Sequence, residues 1–170
     1  MPDLQTLATL NYQFGIEGQL QFKAVGDLIV AEITNEHAQA SIALQGAQIL
    51  SWVPNGQQPV IWLSDEATFI ADKTIRGGIP VCWPWFGTHP EHQDYPAHGF
   101  VRAAAWEVIE TKSLNDGQTQ LVFRLPQSGI SSEFWQHNTE LELQVCISEN
   151  LELRLITRNL GAQTVTISQA

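Results

Sequence analysis

Two strand-rich stretches flank an irregular one, and this division most narrows what the chain can fold into. Leu20–Val25, Leu28–Thr34, Ala38–Leu44 and Gln48–Val53 are short, β-branched runs with the period-two alternation of half-buried strands. Trp106–Thr111, Gln120–Leu125, Leu141–Ile147 and Leu151–Thr157 repeat the pattern, and Val60–Leu63 and Val165–Ser168 are shorter candidates. Gly26-Asp27, Pro54-Asn-Gly-Gln, Asn115-Asp-Gly and Glu149-Asn150 supply the turns. Ser131–His137 has room for one helical turn or two. The pattern predicts an all-β chain of antiparallel strands, a meander or sandwich, forming a single domain over residues 1–170.

Between the strand sets, Ser64 to Pro96 is too rich in glycine and proline for a core element and reads as a long functional loop. Its centre is Arg76-Gly-Gly-Ile-Pro-Val-Cys-Trp-Pro-Trp-Phe-Gly, followed by Pro96-Ala-His-Gly-Phe-Val-Arg102. Gly77 and Gly78 permit positive φ or close backbone approach to a ligand. Pro80, Pro84 and Pro96 restrict the path of the chain. Trp83, Trp85 and Phe86 offer flat apolar walls suited to the C–H face of a sugar ring. One of the two tryptophans is expected to pack inward and the other to face the ligand.

Arg76 can fork onto an anion; the alternative is a pair with Glu66 or Asp72. His98 can hydrogen-bond or handle a proton near neutrality; the alternative is a turn histidine satisfied by a backbone carbonyl. Arg102, if Phe100–Arg102 is extended, projects on the same face as Phe100; the alternative is a plain surface arginine. Together these residues describe a small, polar, anionic ligand on a rigid aromatic floor. Trp52, Trp62 and Trp106 sit in strand patterns and are expected in the core.

Composition removes several functions. With a formal net charge of −10, the chain is a poor partner for nucleic acid or an anionic membrane, so an anionic ligand must be caught by locally placed arginines. No apolar run approaches a membrane span. Cys82 and Cys146 have neither metal nor disulfide spacing, which fits a reducing cytoplasm. His89, His92 and His98, with Glu91 and Asp94, lack zinc-site spacing and read as a solvated loop, so no metal is expected. No nucleophile elbow or P-loop occurs.

The chain resembles the hexose-6-phosphate mutarotases, a branch of the aldose 1-epimerase superfamily. The resemblance is carried by Gly46-Ala-Gln-Ile-Leu-Ser-Trp52, Ile61-Trp-Leu-Ser64, Arg76 through Gly87 and Ala97-His-Gly-Phe-Val-Arg102, and more weakly by Phe134-Trp135. It implies a galactose mutarotase-like β-supersandwich, of which this chain supplies about half. It implies interconversion of the α and β anomers of glucose 6-phosphate or a related aldose, without a cofactor. By the same resemblance Arg76, Ala97, His98, Arg102 and Trp85 bind substrate, with His98 in a supporting role. The family's general acid histidine and general base glutamate have no counterpart here. The expectation is therefore the N-terminal part of a mutarotase, inactive or nearly so alone. Strand edges left unpaired in half a sandwich would favour self-association. A non-catalytic sugar or sugar-phosphate binding module is the alternative.

Overall fold

The computed structural model describes residues 2–170. A helix α1 (Leu4–Phe14) precedes eight strands: β1 (Leu20–Val25), β2 (Leu28–Thr34), β3 (Ala38–Ala43), β4 (Gln48–Pro54), β5 (Glu107–Ser113), β6 (Thr119–Arg124), β7 (Thr139–Ile147) and β8 (Leu151–Asn159). They form two four-stranded antiparallel meanders, β1-β2-β3-β4 and β5-β6-β7-β8. The all-β architecture agrees with the strand pattern, and the β1–β2, β5–β6 and β7–β8 hairpins turn at Gly26-Asp27, Asn115-Asp-Gly and Glu149-Asn150, whereas the β2–β3 and β3–β4 hairpins turn where none of the expected signals lies.

The two sheets share one core. Phe22, Ile33, Ala40 and Ile42 of the first sheet pack in the same apolar cluster as Leu121, Phe123, Leu143, Val145 and Ile147 of the second. Alternation explains the register: Leu121 opposes Val145 and Phe123 opposes Leu143, so inward residues meet inward residues. The opposite face of β6–β8 carries charge, with Glu142 bonded to Arg124 at 2.7 Å and to Arg158 at 2.9 Å. A second, smaller cluster lies outside the first sheet, where Leu63, Phe69 and Ile75 cover Leu28, Val30 and Leu50. That contact seats the long loop on the sheet.

Four expectations are corrected. The helix α1 was not foreseen; Leu7, Leu10 and Phe14 bury one stripe against the core while Tyr12 points to water. Val60–Leu63 forms no strand: Val60 N–H donates to Trp52 oxygen, Trp62 oxygen accepts the Gly78 N–H, and Leu63 makes an isolated bridge to Gly77. Val165–Ser168 is likewise irregular, although Ser168 N–H donates to Pro84 oxygen at 2.9 Å and Cys82 exchanges two bonds with Ala170. Trp62 is 65% exposed, whereas Trp106 is buried as expected and Trp52 partly so. Ser131–His137 makes a single turn, closed by Trp135 N–H on Ser131 oxygen at 2.9 Å.

Candidate functional site

From Asn55 to Trp106 the chain has no strand longer than an isolated bridge, yet it is not loose. Glycines let its backbone lie directly on the scaffold. A Cβ on Gly78 would fall 2.3 Å from Ile49 oxygen, and one on Gly46 would fall 2.5 Å from Arg102 oxygen. The Gly46–Ile49 stretch, leading into β4, therefore supports both arginine segments: Arg76–Gly78 on one side and Arg102 on the other. Ile49 and Ile79 exchange two backbone bonds, and Gly46 N–H donates to Ala104 oxygen at 2.8 Å.

A second set of contacts joins Trp83–Gly87 to His98–Phe100. Trp83 bridges Gly99, and Phe100 N–H reaches Trp83 oxygen at 3.3 Å. His98 N–H donates to Gly87 oxygen at 2.7 Å, while the His98 Nδ1 accepts the Gly87 N–H at 3.1 Å. That second bond places the neutral ring's proton on Nε2, which remains a donor toward a ligand. His98 adopts φ 66°, a left-handed conformation that costs a residue with a Cβ ~1–2 kcal/mol and that gathers at functional sites. The expected alternative for His98, a ring capped by a carbonyl, is not what Nδ1 does here: it accepts.

Arg102 lies in a turn rather than an extended strand, so the expected projection beside Phe100 does not apply. Its Nη2 donates to Ala97 oxygen at 2.7 Å, and its Nε is buried without a partner. The guanidinium is thus half-sunk and tied to the residue before His98. Its charge also bears on Cys82, whose thiol burial pushes up and Arg102 draws down, with burial prevailing. Arg76 is the opposite case. It projects into water, with Glu66 at 4.0 Å and side chains 74% and 88% exposed. An ion pair so long and so wet is worth ~0–1 kcal/mol and is easily surrendered to a phosphate.

Both tryptophans pack inward, which corrects the expected division between them. Trp83 is fully buried, donates to Thr157 Oγ1 at 3.1 Å, and meets Trp135 edge-on with ring centroids 5.0 Å apart. Trp85 is 5% exposed and donates to Pro96 oxygen at 2.9 Å, so it props the Ala97–His98 loop from beneath instead of facing solvent. The aromatic surface left for a ligand is Phe86, 55% exposed and edge-on to His98 at 4.8 Å.

The structure thus ties Arg102 to Ala97, the residue before His98, with Trp85 bonded to Pro96 at the foot of the same loop; among the described residues Arg76 bonds to none of them and is related to them through Gly46–Ile49. The sequence pattern did not reveal this shared support, although the Gly46-Ala-Gln48 string, polar within an apolar run, was its visible sign. His89 and His92 lie apart: the His89 Nδ1 accepts the N–H groups of Glu91 and His92. Among the described residues no His/Cys/Asp/Glu cluster is arranged to ligate a metal, and no helix is long and apolar enough to cross a membrane. Cavities lie elsewhere, including a groove of about 700 Å³ under α1 and a cleft of about 410 Å³ between His89–Tyr95 and Glu133–His137.

Residues 30–170 match the family model described as aldose 1-epimerase. Proteins named "Putative glucose-6-phosphate 1-epimerase" are 42% identical in Escherichia coli over 129 residues and 35% identical in Salmonella typhimurium over 136. These alignments cover 76% and 80% of this chain but 42% and 46% of the relatives, so the chain spans less than half the length of the curated relatives it matches. The crystal structure of "a putative mutarotase (YeaD) from Salmonella typhimurium" superposes with TM-score 0.78 at 31% identity, covering 85% of this chain and 48% of that one. A galactose mutarotase-like protein from Clostridium acetobutylicum shares the fold at TM-score 0.66 and 15% identity, over 84% of this chain and 49% of its own.

Proposed function

This chain belongs to the aldose 1-epimerase family, and we propose that it provides the substrate-binding floor for interconverting the anomers of a hexose 6-phosphate. One observation carries the phosphate part of the reading: Arg76 stands on a rigid backbone with no committed partner, since Glu66 at 4.0 Å is nearly all in water. A guanidinium held in this way can form a charge-assisted, bidentate bond with a phosphate. Arg102, fixed against Ala97, and the His98 Nε2–H offer donors to the sugar, and Phe86 offers an apolar edge.

The reaction needs an acid to protonate the ring oxygen and a base to take the proton from the C1 hydroxyl. The C1–O5 bond then breaks, the aldehyde rotates about C1–C2, and reclosure returns both protons. The His98 Nδ1 is engaged by Gly87, so His98 supports substrate rather than shuttling a proton through that atom. The 170-residue chain therefore binds sugar phosphate and anomerises it at close to the spontaneous rate, since each missing acid or base is worth ~10²–10⁴-fold. The other reading of the residues, a binding module with no catalytic role, is not favoured: the curated relatives carry epimerase names.

Calorimetry with glucose 6-phosphate and glucose tests the proposal. Arg76→Ala is expected to weaken the phosphorylated sugar more than the neutral one. Equal losses for the two ligands would remove Arg76 as the phosphate contact, and no binding of either would overturn the reading.

A further inference from the structure

Arg76 is held from behind by a residue the proposed chemistry does not use. Gln48, at the first position of β4, is 1% exposed and is followed by the buried apolar Ile49 and Leu50. Its Nε2 donates to Gly77 oxygen at 2.6 Å and to Ile75 oxygen at 3.3 Å. A carboxamide nitrogen has two protons, and both are spent on the carbonyls on either side of Arg76. No backbone N–H of the described residues reaches either carbonyl. The outer edge of the same segment is fixed separately, by Ser64 N–H on Arg76 oxygen at 3.2 Å and Gly78 N–H on Trp62 oxygen at 2.8 Å.

Gln45 repeats the device one turn upstream. It is 7% exposed, its Nε2 donates to Lys73 oxygen at 2.7 Å, and its Oε1 accepts the Asp72 N–H at 2.8 Å. Gly78 makes room for the arrangement, because a Cβ there would meet the Gln48 Nε2 at 3.2 Å as well as Ile49 oxygen. The outcome is an arginine whose backbone is clamped on both edges while its side chain stays free. A ligand then has only the side chain to order, which lowers the entropy lost on binding.

We propose that Gln48 is a positioning residue: it acts on the ligand solely through Arg76, by donating to the two carbonyls that bracket it. As a statement about sugar-phosphate affinity this rests on the function proposed above. As a statement about the Arg76 segment it stands alone, and the experiment separates the two.

Gln48→Met keeps side-chain length and removes both donors. Calorimetry is run with glucose 6-phosphate on the full chain, Gln48→Met, Arg76→Ala and the double variant. Leaving two buried carbonyls unpaired is expected to lower affinity about tenfold in the parent background and not at all once Arg76 is gone. An equal loss in both backgrounds, or unchanged affinity of Gln48→Met, overturns the proposal. Gln48→Glu is a second variant of the same shape, and it carries the same cycle should Gln48→Met fail to fold. Its carboxylate cannot donate, whereas its protonated form regains one donor, so its deficit relative to the parent is expected to shrink from pH 8 toward pH 5. A deficit independent of pH contradicts donation by residue 48. If the parent chain binds no sugar phosphate, the functional reading fails, and amide hydrogen exchange decides the rest. Ser64 and Gly78 are then expected to exchange about tenfold faster in Gln48→Met while β7 amides keep their rates. Acceleration throughout β7, or none at Ser64 and Gly78, overturns the positioning role.

Discussion

Replacing Gly99 with alanine should be among the most damaging single changes in this chain, and the structure shows how to separate the two causes. Gly99 has φ 73°, and an added Cβ would lie 1.8 Å from Trp83 oxygen, 2.4 Å from Trp83 carbon and 3.1 Å from Pro84 nitrogen. The left-handed conformation alone costs alanine ~1–2 kcal/mol. The contact cannot be relieved by a side chain turning aside, because every atom met belongs to the backbone. The Trp83–Pro84 peptide must move, loosening the Phe100 N–H to Trp83 oxygen bond and shifting an indole that is 0% exposed. Broken bond and disturbed packing together bring the expected loss to ~3–5 kcal/mol, a large part of an ordinary domain's stability. Gly56→Ala is the matched control, since Gly56 has the same φ of 73° but nothing within 4 Å of its would-be Cβ. Urea denaturation reads both. With m of ~2 kcal/mol/M, Gly99→Ala should lower the midpoint by ~1.5–2.5 M and Gly56→Ala by under ~1 M. Equal shifts would show that the Trp83–Gly99 contact is not what holds the site loops together.

Other outcomes follow from the same contacts. Glu142→Gln should destabilise the chain by ~1–2 kcal/mol at neutral pH, because it weakens the bonds to Arg124 and Arg158. Burial pushes the Glu142 carboxyl up, but those arginines outweigh it and hold it below its ordinary value near 4.5. Its contribution is therefore present above that value and lost as pH falls through the folded-state value, so the variant should show a shallower acid limb in a pH–stability curve. Trp83→Phe should cost ~2–4 kcal/mol by thermal unfolding, through a buried void and the lost bond to Thr157, whereas Trp62→Ala, at a side chain 65% exposed, should stay within ~0.5 kcal/mol. β8 has one sheet neighbour and half-buried leucines at 151, 153 and 155, so sedimentation at micromolar concentration should show self-association; a monomer would contradict it.

What the sequence revealed depended on how local the cause was. β7 and β8 were legible because their alternation and the Glu149-Asn150 turn are properties of adjacent residues. Helix α1 was less so: Asp3 at its N-cap and Gly15 at its C-cap were its end signals, with no charged terminal turn to reinforce Leu7, Leu10 and Phe14 at helical spacing. Trp62 misled because strand propensity at Val60–Leu63 was overruled by pairing with the Gly77 loop, which leaves the indole outside. Trp85 misled because nothing local announces that its indole N–H would find Pro96 oxygen. Which residues to propose for the site was readable from Arg76 to Arg102. Its geometry was not, since the links through Gly46, Gln48 and Gly99 join residues far apart in the chain.

The central claim is that Arg76, Ala97, His98 and Arg102 form one sugar-phosphate surface. Amide chemical shifts of the 170-residue chain, followed during titration with glucose 6-phosphate, test it most directly. The account predicts saturable shifts at Gly77–Gly78, Gly87 and Ala97–Arg102, with glucose alone moving the Gly77–Gly78 amides least. Saturable shifts confined to the groove under α1 or to the His89–His137 cleft, or no shifts at all, would contradict it.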